Sequence, residues 1–547
     1  MGDGSAQVVR NPVLPGSHPD PSIVRVGDDY YLATSTFEWC PGVRLHHSRD
    51  LVHWEPLGGA LDGPPALDLT GCPDSGGVWA PSLSHADGLF HLLYSNVSSY
   101  TGGFSDAPNQ LVTAPSIHGP WSEPVPLHAR GFDASLFHDG PDSWMINLVH
   151  DWRPGHGGSA GLEATRYDRV TRALVGEPTL IGLPPGDGWI EGPNLYRVGD
   201  WYYLLTADGG TGYDHQVTVS RSRTLTGPYE RDANGPLITA RHSPDLPLQK
   251  AGHGSLVTTQ AGESYLAYLV SRPLGRRGPC VLGRETALAQ VTWTSDEWPR
   301  VPTGEPALEV AAPISAGREA GREAGPEHTP APGTHVEDDF DRPTLGPQWS
   351  TLRRPAAPDW LSLTDRPSHL RIRGGRAPHS LVGPSLVAQR VTAPRCSFET
   401  TLEYRPEAFQ HLAGITAYYN TRNWYYLYVT ADDEGRPVLR RASSDRGVLT
   451  VDETGGVPLV GPTVRLGLGC ELDGGELRFH YDTGSGRRPF GEVADATVLS
   501  DEHAEDVQDG QVRAMGFTGA FVGLWVWDLS GQGRHADYDR ATFRAEA

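Results

Sequence analysis

The chain has 547 residues and a formal charge of −22, with 45 Lys+Arg against 67 Asp+Glu. That length is too great for one hydrophobic core, so two domains are expected. An acidic balance of this size argues against nucleic acid and anionic membrane surfaces as partners, and suits a neutral ligand such as a sugar.

The opening residues 1–7 carry neither a basic stretch nor an apolar one, so no signal peptide is expected, and the default location is the cytoplasm. No run approaches the ~20 apolar residues of a membrane span. The five cysteines (Cys40, Cys72, Cys280, Cys396 and Cys470) are odd in number, scattered and without CxxC spacing. They suggest neither a disulfide framework nor a zinc site. With 66 Gly, 47 Pro and many strand-forming aromatics but few helical periods, the chain reads as all-β.

Five copies of one pattern follow in order, at intervals of roughly 60 residues, somewhat longer than most propeller repeats. Each is a small Ser/Asn-plus-Ile/Leu step and then an aromatic-rich strand. The steps are His18-Pro19-Asp20-Pro21-Ser22-Ile23, Trp79-Ala80-Pro81-Ser82-Leu83, Asp133-Ala134-Ser135-Leu136, Glu191-Gly192-Pro193-Asn194-Leu195 and His253-Gly254-Ser255-Leu256. Five copies predict a five-bladed β-propeller over residues 1–310, with the first strand of each blade lining a central channel. Asp20, Trp79 with Ala80, Asp133, Glu191 and His253 then converge on the channel mouth. Asp and Glu at strand starts are often mere turn formers. A turn former would recur as one residue type, however, and here the type changes from blade to blade, as at a shared site.

Residues 311–335 hold Ser315-Ala316-Gly317-Arg318-Glu319-Ala320-Gly321 and a Pro/His/Thr stretch. They lack the apolar branches needed to bury surface, and read as a linker or surface loop. From residue 336 to 547, short alternating strands such as Phe398-Glu399-Thr400-Thr401-Leu402 and Trp424-Tyr425-Tyr426-Leu427-Tyr428 predict a β-sandwich. Its aromatic strands read as core rather than as a sugar-binding face.

Three carboxyls around one opening fit a base, an acid and a modulator. Inverting glycoside hydrolysis needs two carboxyls about 6.5–9.5 Å apart, one kept protonated by a raised pKa. A third carboxylate holds that pKa up by like-charge repulsion. A calcium cage fits less well, because no DxDxDG-type loop occurs.

At these residues the sequence becomes recognisable. The first four steps, with Ser75-Gly76-Gly77-Val78-Trp79, Phe132-Asp133, Gly283-Arg284-Glu285-Thr286, Phe517-Thr518-Gly519-Ala520-Phe521-Val522-Gly523 and His535-Ala536-Asp537-Tyr538, resemble glycoside hydrolase family 43, and within it the two-domain β-xylosidases. The resemblance covers nearly the whole length and implies a propeller followed by a concanavalin-like sandwich packed on the active-site side. It implies Asp20 as general base, Glu191 as general acid and Asp133 as the residue that tunes Glu191. It places Phe37, Trp79, Arg284 and His253 around the sugar. His253 either touches substrate, supports the site from beneath or helps hold a central divalent cation; no cofactor is otherwise required. Phe521 resembles the residue that reaches over from the second domain and closes the pocket; Phe517 is the competing assignment, and a core role is open for both. The implied activity is exo-acting, inverting release of xylose from β-1,4-xylo-oligosaccharides, with an α-L-arabinofuranosidase or a bifunctional enzyme as the alternative. A catalytically silent sugar-binding propeller is the reading from a different class. The resemblance also implies a homo-oligomer, dimer or tetramer.

Overall fold

The computed structural model describes residues 7–101, 104–153, 155–156, 158–183, 189–314, 335–452, 456–509 and 511–546. The linker stretch 315–334 lies outside the described residues. Five sheets in chain order make a five-bladed propeller, each built from antiparallel strands that follow one another in the chain, except that Trp39–Cys40 leaves the first blade. The innermost strands are Ser22–Val26, Gly77–Ala86, Ser135–Asp139, Ile190–Val198 and Gln249–Thr258, and each starts at or just before one of the five steps.

The repeated Ser/Asn has a physical job that the sequence alone did not disclose: it stitches each blade to the next. The Leu83 N–H donates to the Ser22 hydroxyl at 2.9 Å, and the Leu136 N–H to the Ser82 hydroxyl at 3.4 Å. Ser135 donates to the Pro193 carbonyl at 2.5 Å, and Asn194 to the Gly254 carbonyl at 3.2 Å. The Ile23 N–H then donates to the Ser255 hydroxyl at 3.2 Å, so the fifth blade returns to the first. Five small polar side chains thus satisfy inner-strand backbone groups that have no neighbour in their own sheet. The ring is closed again outside the blades. Val8–Arg10 pairs with Glu309–Ala311, and the Asn11 amide donates to the Leu288 and Ala307 carbonyls, both at 2.8 Å.

Residues from 335 onward form a sheet of eight strands stacked on a sheet of nine, to which they give eight strands. In Arg395–Tyr404 burial alternates strictly, with Cys396, Phe398, Thr400, Leu402 and Tyr404 turned inward. The nine-stranded sheet is buried on both faces. Ala413, Ile415, Leu427, Val522 and Leu524 belong to the sandwich core. On its other side Trp424, Tyr426, Trp525 and Trp527 pack with Trp39, so the aromatic strands are core, as their composition suggested. The last strand of that sheet, Trp39–Cys40, comes from the first blade and pairs with Ser350–Leu352. The two halves therefore share a sheet. No helix among the described residues is long and apolar enough to cross a membrane. All five cysteines are buried and free.

Candidate active site

At the mouth of the channel lies a cavity of about 430 Å³. Asp20, Asp133 and Glu191 all line it, with Phe37, Trp79, His253 and Arg284. Residues more than two hundred positions apart meet there because each lies just before, or within the first few residues of, an innermost strand. The meeting is held by unusual backbone: Asp20 (φ 56°), Asp133 (φ 54°), Gly192 (φ 55°) and His253 (φ 47°) are all left-handed, each two residues before its blade's Ser/Asn. Such conformations cost about 1–3 kcal/mol each in non-glycine residues and persist only where the surroundings impose them. Glu191 sits one residue earlier in its repeat than the two aspartates do in theirs. Pairing slips between Glu191 and Asn194, and likewise between Trp79 and Ser82, a local bulge that re-aims the side chain into the cavity. Gly192 fits there because a Cβ would come within 3.0 Å of the His253 ring.

The three carboxyls are electrostatically unlike. Burial alone would raise the pKa of Asp20. The charges of Arg284 and His253, and the hydroxyl of Ser35, outweigh burial and hold it below the ordinary carboxylate value. Arg284 Nη1 lies 3.7 Å and His253 Nδ1 3.8 Å from Asp20 Oδ1, while Ser35 donates to Oδ2 at 2.7 Å. Glu191 is pushed up to about 7, by burial first and then by the charge of Asp20, against the opposing pull of the Trp189 N–H and Arg284. Asp133 is raised well above its ordinary value by burial and by repulsion from Glu191 and Asp20. Burial, and then the charge of Arg284, lower the pKa of His253 against the opposing pull of Asp20. Two carboxyls of opposite proton affinity in one apolar-walled cavity are what acid–base hydrolysis needs.

Arg284 is fixed from several sides. It donates to the Thr211 hydroxyl at 2.7 Å and to the Phe517 carbonyl at 3.4 Å, and its guanidinium lies 4.4 Å from the Phe517 ring centre. The Trp79 indole donates to the Ser75 carbonyl at 2.8 Å, and the ring meets Phe132 edge-on at 5.2 Å.

Phe521 does not close this pocket. It is 1% exposed, opens the strand Phe521–Asp528 and stacks on Trp39 at 4.0 Å, held there by pairing with Arg390. The aromatic residue that the second half of the chain brings to the cavity, beside Val512 and Met515, is Phe517, 5.8 Å from Phe37 and 5.9 Å from Trp79. Ser75 holds that segment over the cavity. Its hydroxyl donates to the Met515 carbonyl at 2.9 Å and accepts from the Phe517 N–H at 3.1 Å. Phe521 lies inside the sheet and Phe517 in the segment that enters it, a difference that four residues of motif cannot reveal.

Several lining residues went unnoticed in the sequence. Trp189 donates its indole N–H to Glu191 Oε2 at 2.6 Å. Thr211 anchors Arg284, and His215, also in the lining, bonds the Lys250 carbonyl at 3.1 Å through Nδ1. The signal for Trp189 was present: residues i and i+2 of an extended segment share a face. Among the described residues no three His, Cys, Asp or Glu side chains gather as a metal site.

Comparison with known proteins agrees with this geometry. Residues 9–299 match the glycosyl hydrolases family 43 model, and residues 337–544 match that of the beta xylosidase C-terminal concanavalin A-like domain. A xylan 1,3-beta-xylosidase of a Vibrio species is 40% identical over 546 residues, covering 97% of this chain and 98% of the relative. The beta-xylosidase of Bacillus subtilis is 40% identical over 544 residues, again 97% and 98%. A non-reducing end alpha-L-arabinofuranosidase of Bacteroides ovatus is 33% identical, covering 98% and 94%. The crystal structure of a xylan beta-1,4-xylosidase from Bacillus halodurans superposes with a TM-score of 0.91 at 44% identity, over 98% of this chain and all of the other. The chain is a glycoside hydrolase and belongs to glycosyl hydrolases family 43.

Proposed function

We propose that the protein is an exo-acting, inverting β-1,4-xylosidase that releases xylose from the non-reducing ends of xylo-oligosaccharides. The observation that carries this reading is the pairing, in one cavity, of a carboxyl held down by Arg284 with a carboxyl pushed up to about 7. Asp20, ionised, takes a proton from water as that water attacks the anomeric carbon. Glu191, protonated, gives its proton to the departing glycosidic oxygen as the C–O bond breaks. Asp133, its own proton affinity raised by burial and by the charges of Glu191 and Asp20, is the residue that tunes and orients the acid. Trp79 and Phe37 supply apolar walls for a sugar ring, and Arg284 a fork of donors for hydroxyls. Phe517 walls the cavity from the second half of the chain, which suits cleavage of terminal residues. The relatives named as xylosidases support the substrate class. No cofactor takes part, and a homo-oligomer in the cytoplasm completes the reading.

The test is Glu191→Gln, which keeps the shape but not the proton. Turnover of xylobiose should fall by about 10²–10⁴, with KM little changed; undiminished turnover would remove Glu191 from the chemistry. NMR of the first-formed product should show α-xylose, and β-xylose would refute inversion. The Bacteroides ovatus relative favours one second reading, an α-L-arabinofuranosidase or an enzyme with both activities. Rates on the two nitrophenyl glycosides decide it, a large preference for the arabinoside overturning the xylosidase assignment.

A further inference from the structure

We propose that Trp189 is a positioning residue that dictates which oxygen of Glu191 carries the catalytic proton. The inference rests on the reading of Glu191 as the general acid. The Trp189 Nε1–H lies 2.6 Å from Glu191 Oε2 and is the hydrogen bond that the Glu191 side chain makes among the described residues. Indole nitrogen donates and never accepts. In a neutral carboxyl the better acceptor is the carbonyl oxygen, so an N–H bound to Oε2 leaves the proton on Oε1. On this proposal Oε1 is the oxygen that delivers the proton to the leaving group, and Trp189 prevents the acid from presenting its proton on the other one.

The indole is held so that it can enforce this choice. Its ring lies nearly parallel to Phe132 (centroids 6.3 Å apart, 20°), and His150 stands 6.4 Å away. Behind it Gly158, at φ 85°, leaves no room for a side chain: a Cβ there would sit 2.4 Å from the indole Cζ3. Glycine at that place in blade three therefore serves an indole from blade four.

The bond also changes strength during the reaction. As the glycosidic C–O bond breaks, its electron pair takes the Oε1 proton, and Glu191 becomes a carboxylate. A hydrogen bond to a charged acceptor is roughly twice as strong as one to a neutral acceptor. The Trp189 bond therefore tightens as charge develops, which favours the transition state over the bound substrate. This effect matters most when the leaving group depends on full protonation.

The experiment compares the wild type with Trp189→Phe in the full-length protein, with xylobiose and 4-nitrophenyl β-xyloside as substrates. Loss of the donor should lower kcat/KM on xylobiose by about tenfold and on the activated nitrophenyl substrate by distinctly less. The alkaline limb of the xylobiose pH profile should move upward, because a donor favouring the carboxylate is gone. Equal losses on both substrates with an unmoved limb would show a purely structural role and overturn the proposal. Should Trp189→Phe fold poorly, 3-benzothienylalanine at the same position replaces N–H by sulfur in a ring of the same shape, and the same outcomes decide. Glu191→Gln run in parallel separates the two readings. If it abolishes turnover while the Trp189 limb stays put, only the Trp189 inference fails. If it leaves turnover intact, the acid assignment fails and takes the Trp189 inference with it.

Discussion

The proton affinities of Asp20 and Glu191 diverge although both are buried in one cavity, and the difference lies in what faces each of them. Asp20 has Arg284, His253 and the Ser35 hydroxyl; Glu191 has a single N–H donor and the charge of Asp20, with Arg284 the smallest of its influences. The kcat/KM profile should accordingly be bell-shaped. Asp20 must be ionised, so activity falls as pH drops through its depressed pKa; Glu191 must be protonated, so activity falls as pH rises past about 7. Replacing Arg284 by Met removes a cation that favours both carboxylates, and both limbs should move to higher pH, as initial rates across pH 3–9 would reveal. A fixed acidic limb would show that Arg284 does not set the ionisation of Asp20. The carboxyls were legible in the sequence because their residue types stood out at a repeated position. Thr211 was not, since a hydroxyl in a loop carries no pattern until its partner is known, and the signal for Trp189 was no more than its i, i+2 spacing from Glu191.

At the level of elements, the segment containing Met515 and Phe517 and the strand Phe521–Asp528 differ in role despite adjacency. The first hangs on the Ser75 hydroxyl over the cavity, and the second is welded into a sheet between Leu386–Arg390 and His411–Asn420. Phe517→Ala should reduce kcat/KM by about tenfold or more through looser positioning, with the melting temperature little changed. Phe521→Ala should do the reverse. It empties the stack on Trp39 and should cost about 3–5 kcal/mol, read as a large drop in melting temperature. An outcome in which Phe521→Ala changes kinetics while leaving stability intact would restore it to the pocket.

Across the whole molecule, the propeller and the sandwich are joined by buried charge as well as by a shared strand. Arg353, fully buried, donates to the Asp74 carboxylate at 2.6 Å and to the Cys72 carbonyl at 2.7 Å. Asp74 in turn accepts from the Thr421 hydroxyl at 2.5 Å. Asp74 also precedes Ser75, which positions both Trp79 and Phe517. Breaking this pair by Arg353→Met strands a buried carboxylate, which costs about 3–5 kcal/mol. The variant should melt well below the wild type and lose activity alongside, whereas a pair of no consequence would leave both unchanged. The one lysine of the chain is spent on the same junction, with Lys250 Nζ 2.6 Å from Glu502 Oε1.

The sequence by itself determined the blade count, the all-β class, the second sandwich and the three acids, because a repeated Ser/Asn step and strand alternation are properties of local chain geometry. Tertiary structure alone decided the rest. That the repeated Ser/Asn hands a hydrogen bond from blade to blade, that Trp39–Cys40 finishes a sheet of the other half, and that Phe517 rather than Phe521 faces the sugar pocket all depend on which distant backbone groups lack a partner. No stretch of sequence carries that information, since a missing partner exists only after the chain has closed on itself.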